Sequence, residues 1–478
     1  MKDLREWLEA CEKEEELKRI KAEVDWDLEL GHVATLNERR GGPALLFEKV
    51  KDYDIPVLTS TITTSKRLAI TCGRPPSYSM CDLARDWMKI MTEEKLIKPV
   101  EVKSNIPVME EVIEEKDVNL FDFPSPRLYP QDGGRYLGLA FNFVTQDQET
   151  GWTNLGVYRG QLFDEKTIGA NMFVRSKHGR MHMEKFAKKG SKMPAAAYCG
   201  CDMIHFVAGA TMVPEQVDEY DVIGGLMGKP VEVFTSDLTG LKLPAHAEII
   251  LEGEIELDPA KFRVEGPLGE YVGFYAASGE GVPKPWFQVK RILRRKNPIF
   301  VATTVGRPVG DTHIANTIGR TAYLWADLEM MKVPGIQSVY CPPEATGRFW
   351  AIVSVKSTYP AQGERVAEAV CASPTGHFGV KGVIVVDADV KADDMAGVWW
   401  SLAVRYNPIE DTQIIRKMRA TPFDPALPVG KKAIGSRILI DATTPVEWEK
   451  KPLLVELDED TTKKVVGKWQ EYGFEHPY

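Results

Sequence analysis

The chain has 478 residues, of which 44% are hydrophobic, and a formal net charge of −9 from 69 acidic and 60 basic residues. This length and composition predict a folded globular protein of about three ordinary domains. Charges of both signs are spread along the chain, which argues against the basic stripe of a nucleic-acid-binding protein.

The sequence contains no apolar run of about 18 residues, so no segment is expected to span a membrane. The first residues are charged and lack the apolar core of a secretory signal. Seven cysteines, of which only Cys199 and Cys201 are close together, do not form a disulfide framework. We therefore expect a cytoplasmic protein with reduced thiols and no nucleic-acid or membrane partner.

The N-terminal segment has the pattern of an amphipathic helix followed by strands. Four apolar residues recur at helical spacing: Leu4, Trp7, Leu8 and Cys11. Apolar strands are predicted at 43–47 and 56–59. Together these elements predict an α/β domain over residues 1–110.

The middle of the chain is predicted to be mainly β-strand. Candidate strands are 137–145, 153–163, 231–235 and 299–304, separated by Gly and Pro turns. This pattern favours a barrel-like domain over residues 111–320.

Helical segments alternate with buried strands at 349–355 and 381–387, which predicts a second α/β domain over residues 321–445. The tail, 446–478, is charged and then has apolar residues at helical spacing: Val465, Val466, Trp469 and Tyr472. Such a helix packs either on its own domain or on a neighbouring subunit; we expect the subunit contact.

Glu265 and Glu270 lie five residues apart around Gly266-Pro267 and Gly269. Gly and Pro exclude a regular helix here, so the two carboxylates should lie on a fixed bend after the predicted strand 251–257. Two carboxylates at close range raise one pKa, which suits a proton donor. The alternative is a solvated acidic turn.

A second segment, 151–159, strengthens the first interpretation. Together the two segments resemble the UbiD-type decarboxylases, in which a W-x-N-x-x-x-x-R strand and an E-G-P-[FL]-G-E corner carry the chemistry. The matching residues here are Trp152, Asn154, Arg159, Glu265 and Glu270. Segments 131–136, 218–225, 385–390 and 441–443 are also similar to family segments in the same order, which makes the resemblance specific.

The resemblance implies a fold of α/β and α+β class, with a central split β-barrel cofactor-binding domain flanked by N-terminal and C-terminal α/β parts. It implies a carboxy-lyase that decarboxylates, reversibly and without oxidation, an unsaturated acid through a covalent adduct with prenylated FMN. An aromatic or heteroaromatic acid is the first expectation, and an acrylic-type acid is the second. Glu270 would donate the proton in a drier place than Glu265, while Arg159 would hold the departing carboxylate and pair with Glu265.

The resemblance also assigns the cofactor site. Its residues would be Asn154, Leu155, Gly156, Val157, Tyr158, Arg159, Lys177, His178, Glu219 and Lys381. A Mn²⁺ or Mg²⁺ ion would be bound by Asn154, His178 and Glu219, oxygen and imidazole ligands that suit these cations. His182 is the alternative histidine. A potassium site is implied near Trp152 and 208–212.

Further expectations concern substrate and partners. His313 and Arg320 would bind a ring substituent or a second carboxylate, or else serve a structural role. The partners would be a small carboxylic acid, CO₂ and a flavin prenyltransferase that supplies the cofactor, and the chain would form a homodimer or homohexamer. The alternatives are a catalytically silent or cofactor-binding subunit of a multi-subunit carboxylase and an ordinary FMN oxidoreductase.

Overall fold

The computed structural model describes residues 1–93, 95–172, 178–211, 213–275, 279–428 and 434–474. The elements of the N-terminal part are α1 (Leu4–Lys13), β1 (Leu17–Val24), α2 (Glu29–Glu38), β2 (Ala44–Val50), β3 (Val57–Thr59), α3 (Ser65–Thr71) and α4 (Met80–Thr92). The central part contains β4 (Val100–Glu101), β5 (Glu111–Glu114), β6 (Asn142–Gln146), β7 (Thr153–Val157), β8 (Leu162–Asp164), β9 (Thr167–Gly169), α5 (His178–Lys188), β10 (Met193–Cys199), α6 (Ile204–Ala210), α7 (Glu219–Met227), β11 (Glu232–Thr235), β12 (Lys242–Pro244), β13 (Ile249–Glu256), β14 (Arg263–Glu265), β15 (Val282–Lys284), β16 (Trp286–Arg294) and β17 (Phe300–Val301). The C-terminal part contains α8 (Asp311–Met330), β18 (Ile336–Tyr340), β19 (Trp350–Val355), α9 (Gln362–Ala372), β20 (Gly382–Asp387), α10 (Met395–Val404), β21 (Thr412–Arg419), β22 (Ile434–Ala442) and α11 (Glu459–Gly467).

The first helix forms as its sequence pattern predicts. Asp3 caps α1 by accepting hydrogen bonds from the backbone amides of Arg5 and Glu6. The helix buries the four apolar residues that share one face. Trp7 also donates from its indole nitrogen to the Thr71 hydroxyl at 2.9 Å, so its polar atom is satisfied in the core.

The local sequence pattern predicts strand β17 but not the sheet that it joins. It forms inside the predicted segment 299–304, but it pairs in parallel with β3 and completes the N-terminal sheet, in the order β1-β2-β3-β17. The Phe300 amide donates to the Pro56 carbonyl, and the Ala302 amide to that of Leu58. A short apolar run is compatible with either sheet, so only long-range packing selects the partner.

The central part is built on an eight-stranded sheet in the order β7-β6-β10-β13-β16-β9-β8, with β5 also paired to β16. Strand β6 starts only at Asn142, because residues 137–140 form a 3₁₀ turn. The predicted strand 153–163 is two strands, β7 and β8, separated by residues 158–161. The chain is therefore a mixed α/β protein with several sheets, while the split barrel itself stays a prediction.

The C-terminal sheet has the order β18-β19-β20-β22-β21, with β19, β20 and β22 parallel to one another. Strands β19 and β20 coincide with the two predicted apolar runs. Their continuous apolar sequence is typical of parallel strands that are covered on both faces. None of the helices in the described ranges is long and apolar enough to cross a membrane.

The tail helix forms, but α11 buries none of its residues against the chain. Leu453, Val455 and Leu457, just before it, are almost fully exposed. Packing of the described tail on its own domain is thus not observed, and contact with a neighbouring subunit stays a prediction.

Helix α8 is anchored to the N-terminal part by a buried acid. Asp311 accepts hydrogen bonds from the backbone amides of Thr61 and Ile62, both at 2.8 Å. Glu38 lies beside it and accepts from the hydroxyls of Ser60 and Thr304. Burial, together with the charge of Asp311, raises the pKa of Glu38 from its ordinary value of 4.5 to about 8.

This acid pair predicts a specific pH dependence of stability. Between pH 4.5 and about 8 the unfolded chain has Glu38 ionised while the folded chain retains its proton. The folded state is therefore destabilised progressively as pH rises through this window, on the order of a few kcal/mol. We expect Glu38→Gln to remove this loss, so that its melting temperature exceeds that of the wild type increasingly from pH 5 to pH 8.5.

The measurement is the melting temperature of both proteins across this pH range, with the exposed Glu9→Gln as the matched control. A constant difference between Glu38→Gln and wild type over the whole range would contradict the assignment.

Candidate active site

The two carboxylates of the acidic segment lie on a backbone corner held by hydrogen bonds. Glu265 ends β14, and Gly266 follows with a φ of +99°, a conformation that favours glycine. The Gly266 amide donates to the Gln161 side chain at 2.7 Å, and the Gly269 amide donates to the Asp132 carboxylate at 3.0 Å. The segment is therefore a fixed bend and not a solvated turn.

The Asp132–Tyr136 segment packs directly against this corner. The Gly133 amide donates to the Pro267 carbonyl at 2.8 Å, and the Tyr136 hydroxyl donates to the same oxygen at 3.2 Å. A Cβ atom at Gly133 would lie 2.0 Å from the Gly266 carbonyl oxygen. Glycine is required because the two backbones approach too closely for a side chain.

Arg159 joins the two carboxylates. Its Nε donates to Glu265 at 2.8 Å, its Nη2 reaches the other oxygen of Glu265 at 3.4 Å, and its Nη1 donates to Glu270. Burial lowers the pKa of Arg159, but the charges of Glu270 and Glu265 outweigh it, so this pKa stays above its ordinary value and the guanidinium stays charged. The three residues, predicted as one unit, form one buried ionic cluster.

Burial differs between the two acids in the direction opposite to that predicted. The Glu265 side chain is fully buried, whereas Glu270 retains 13% exposure. The prediction that Glu270 occupies the drier place is wrong, because Glu270 faces an open cavity while Glu265 lies behind Arg159. Burial nevertheless raises the pKa of Glu270; the Arg159 charge opposes this rise and the Glu265 charge adds to it.

Glu270 and Arg159 lie on the wall of a cavity of about 520 Å³, within the range of small-molecule sites. The central part contributes Val157, Tyr158 and the corner, and the C-terminal part contributes one face of α8. The α8 lining residues recur at helical spacing: Thr312, Ala315, Asn316, Gly319, Arg320, Tyr323 and Asp327. The cavity therefore lies between the two parts.

A second polar cluster contains two of the three predicted metal ligands, Glu219 and His178. Glu219, the first residue of α7, is 1% exposed; its Oε2 accepts from the Leu155 amide at 2.8 Å, and its Oε1 lies 3.8 Å from Nδ1 of His178. Asn154, next to Leu155 on β7, is also buried. Burial raises the pKa of Glu219, and His178 partly offsets this rise.

The rival histidine has a different environment. Nδ1 of His182 contacts the Thr145 hydroxyl at 2.9 Å, and burial lowers its pKa to about 4. Both histidines pack edge-on against Trp152. Among the described residues, His178 is the histidine that approaches the Glu219 carboxylate, whereas the Asn154 amide lies 3.5 Å from the Thr145 hydroxyl that contacts His182. The described residues also contain no group of three His, Cys, Asp or Glu arranged for a metal.

Of the remaining predicted site residues, some line the large cavity and others do not. Lys381 forms an ion pair with Asp424 at 3.1 Å and does not line the large cavity. Nε2 of His313 donates to the Tyr271 carbonyl at 2.7 Å. His313 does not line the cavity either. Arg320 does line it. Lys177 lies outside the described residues, as does position 212 of the predicted potassium site.

Two residues of the site escaped sequence analysis. Asn171, with its amide oxygen turned toward Arg159, accepts from Nε at 2.7 Å and from Nη2 at 3.1 Å. Arg348 lines the same cavity, with its guanidinium 5.8 Å from the centre of the Tyr271 ring. Neither residue lies in a recognisable motif. From the sequence alone, an isolated Asn or Arg in an active site cannot be distinguished from one on the surface.

Comparison with known proteins identifies the class and then the family. Models of the N-terminal, Rift-related and C-terminal domains of 3-octaprenyl-4-hydroxybenzoate carboxy-lyase match residues 8–87, 100–308 and 313–442. The chain is thus a decarboxylase-type carboxy-lyase with three family domains, of which the Rift-related domain is central. It belongs to the UbiD family.

Individual relatives match over nearly the whole chain. An uncharacterized protein of Archaeoglobus fulgidus is 32% identical over 499 residues, covering 98% of both chains. The vanillic acid decarboxylase of Sedimentibacter hydroxybenzoicus, in its open form, has a TM-score of 0.89 at 29% identity over 98% of each chain. An evolved dimeric form of the UbiD-class enzyme HmfF from Pelotomaculum thermopropionicum, in complex with prenylated FMN, has a TM-score of 0.79 at 25% identity, covering 95% of this chain and 99% of that one.

The hydrogen bonds of Asp132 predict that it holds the acidic corner. Its two oxygens accept from the Gly269 and Tyr129 amides, each at 3.0 Å. In Asp132→Asn one of these amides faces an NH₂ group, so we expect a loss of about 1–3 kcal/mol. Amide hydrogen exchange of residues 266–271 should become faster, while the exposed Asp117→Asn should leave it unchanged. Unaltered exchange in Asp132→Asn would show that the corner is held without it.

Proposed function

We propose that this protein decarboxylates an aromatic or heteroaromatic carboxylic acid, and carboxylates it in the reverse direction, with Arg159, Glu265 and Glu270 as the catalytic residues. The observation that carries the proposal is the Arg159 guanidinium, which lies with Glu270 on the wall of a ligand-sized cavity and joins it to the buried Glu265. A silent subunit would not need a complete acid–arginine–acid cluster. An ordinary flavin oxidoreductase would not need the acid pair.

Arg159 would bind the substrate carboxylate. Glu265 occupies Nε and Nη2 from the buried side, whereas Glu270 occupies only Nη1 from the cavity side. A substrate carboxylate can therefore replace Glu270 at Nη1 without disturbing Glu265. Arg159 would then release CO₂, which is neutral and no longer pairs with the guanidinium.

Glu270 would supply the proton. When substrate takes its place on Arg159, Glu270 loses the interaction that lowers its pKa, while burial and the Glu265 charge remain. Its pKa then rises further, and it takes up a proton from solvent. That proton replaces the lost carboxyl group at carbon, and Glu270 is left ionised and returns to Arg159.

The residues present fit a flavin and a divalent metal. Val157, Tyr158 and Arg159 would line the flavin, with Leu155 and Gly156 contributing backbone behind them. When bound, prenylated FMN supplies an electron sink for the electrons released as the carbon–carbon bond breaks.

A Mn²⁺ or Mg²⁺ ion fits the donor set of Asn154, His178 and Glu219, since these are oxygen and imidazole ligands and Glu219 is a buried carboxylate. The ion would offset the negative charge of the cofactor phosphate, with Lys177 and Lys381 as further phosphate contacts and K⁺ as a second ion near Trp152.

Substrate and assembly complete the proposal. The cavity wall includes apolar residues such as Phe206, Val213 and Leu268, which suit a planar ring. A flavin prenyltransferase would supply the cofactor, and the exposed tail would join subunits of a homodimer or homohexamer. We further propose domain limits of 1–110, 111–320, 321–445 and 446–478.

The test is reconstitution. Protein co-expressed anaerobically with a flavin prenyltransferase should contain a prenylated flavin, seen in its absorption spectrum and intact mass, and about one Mn²⁺ or Mg²⁺ per chain. It should then release CO₂ from members of a panel of aromatic acids. A loaded protein that neither releases CO₂ nor exchanges labelled CO₂ into any acid would favour the silent-subunit alternative.

Three variants separate the roles of the residues. Glu270→Gln should keep flavin and metal but lose turnover by about 10²-fold or more, because the proton donor is removed. Asn154→Ala and Glu219→Ala should lose metal and flavin together. Glu215→Gln, an exposed neighbour of α7, is the control. Equal flavin loss in Glu270→Gln and Glu219→Ala would contradict separate roles.

A further inference from the structure

A lysine of the central part lies beside the acid cluster. Lys284 is the last residue of β15, and β15 pairs antiparallel with β14, the strand that ends at Glu265. The register places Lys284 directly opposite Arg263. Because residues two apart on a strand share a face, Lys284 and Glu265 lie on the same face of this ribbon as diagonal neighbours. Diagonal neighbours are about 7–8 Å apart, within reach of a long side chain such as lysine.

The backbone around Lys284 is fixed relative to Arg159. The carbonyl of the next residue, Pro285, accepts from the Ala170 amide at 3.0 Å. The amide after that one, of Asn171, donates to the Arg159 carbonyl at 3.3 Å. The half-buried lysine side chain therefore starts from a backbone that is hydrogen-bonded, through one short segment, to the residue that joins the two acids.

The charge of Lys284 acts on both acids. Burial lowers the pKa of Lys284 below its ordinary value; the charge of Glu265 opposes this, Arg159 and Arg180 add to it, and Glu270 again opposes it. In the other direction, the Lys284 charge is one of those that lower the pKa of Glu270. Lys284 therefore belongs electrostatically to the same cluster as the two acids and Arg159.

Two arginines close to Lys284 have carboxylate partners outside the cluster. Arg263 donates to Asp164 at 2.5 Å, and its guanidinium lies 4.5 Å from the centre of the Phe163 ring. Arg180 donates to Glu184 at 2.8 Å. These partners offset the charge of both arginines, so Lys284 is the group that can contribute a second positive charge to the cluster.

A second cation solves a problem of charge balance. When both acids are ionised, two carboxylates and one guanidinium leave one negative charge in excess, and an acid substrate brings a further negative charge to Arg159. One additional cation offsets the excess before the substrate binds. It offsets the substrate charge afterwards, once Glu270 has taken up its proton. The total charge then stays close to zero in both states, which reduces the cost of burying the cluster.

We propose that Lys284 is a positioning residue for the reaction, whose ammonium balances the charge of the acid cluster and so allows an anionic substrate to replace Glu270 on Arg159. This inference rests on the proposed function. Lys284 is not part of the cavity lining. It therefore acts through Glu265 and Glu270 and does not touch the substrate.

The proposal fixes the direction of a change in pH dependence. Turnover needs protonated Glu270, so kcat falls as pH rises through the pKa of Glu270 in the substrate complex. A nearby cation favours the ionised form, so loss of the Lys284 charge raises this pKa and moves the alkaline limb of the kcat profile to higher pH. The other charged or titratable groups that face Lys284 and the two acids are retained in the variant: Arg159, Arg180, Asp132, Tyr136 and Tyr271.

Three variants isolate the charge of this side chain. Lys284→Met removes the charge and keeps most of the length, whereas Lys284→Arg keeps a charge. Lys290→Met is the matched control, because Lys290 lies on β16, is 31% exposed, pairs with Glu254 at 2.8 Å and does not line the cavity. The melting temperature and the flavin content of each variant verify folding and cofactor binding.

Two measurements test the proposal. Infrared difference spectra of the purified full chain follow the band of protonated Glu270, identified by its loss in Glu270→Gln, and need neither flavin nor turnover. For the reconstituted holoenzyme, kcat and KM are measured across pH with an acid that it decarboxylates. In Lys284→Met we expect the infrared midpoint and the alkaline limb of kcat to rise by about 0.5–1.5 pH units, and KM to increase several-fold. Lys284→Arg and Lys290→Met should stay close to the wild type.

Three results would overturn the proposal. The first is an infrared midpoint or an alkaline limb that does not move in Lys284→Met. The second is an equal shift in Lys284→Arg, which would assign the effect to packing. The third is flavin loss confined to the Lys284 variants, which would assign the ammonium to the cofactor. A wild-type holoenzyme that releases no CO₂ from any acid would contradict the proposed reaction, whereas the infrared midpoints would still decide whether Lys284 controls the protonation of Glu270.

Discussion

The ionic link from Arg159 to Glu265 and Glu270 is the constraint on which the rest of the site depends. It brings together two carboxylates and a cation that would each be costly to bury alone. Its geometry holds only if the backbone at 265–270 cannot move, and three surrounding features prevent such movement: the Asp132 carboxylate, the Gln161 side chain and the close approach of Gly133. The catalytic cluster and its support are therefore one structure.

Strand β7 provides Asn154, and Arg159 follows two residues after its end, so a single short segment connects two sites. The Leu155 amide, next to Asn154 in the chain, donates to Glu219, which lies near His178. Arg159, just beyond the end of the strand, reaches the acidic corner. A ligand that occupied both sites would be held along β7. Glu219 and Glu270 are distant in sequence, but each binds a residue of this one segment: Glu219 binds the Leu155 amide, and Glu270 binds Arg159.

Helix α8 closes the cavity from the other side. Its N-terminus is anchored by Asp311 to backbone amides of the N-terminal part, and one of its faces lines the cavity of the central part. All three parts of the chain therefore contribute to the position of the cavity wall. The same helix carries Arg320, so the position of this cationic side chain on the cavity wall depends on the anchoring.

The sequence alone determined what is local: the α1 face, the apolar strands of the C-terminal sheet, and the acidic corner, where Gly and Pro dictate backbone conformation over a few residues. The family motifs added Asn154, Arg159 and Glu219. Only the tertiary structure decided that β17 joins the N-terminal sheet, that Glu265 is more buried than Glu270, and that Arg320 and Arg348 line the same cavity. These features depend on contacts between residues far apart in the chain, and burial and pairing of a charge leave no trace in the residues beside it.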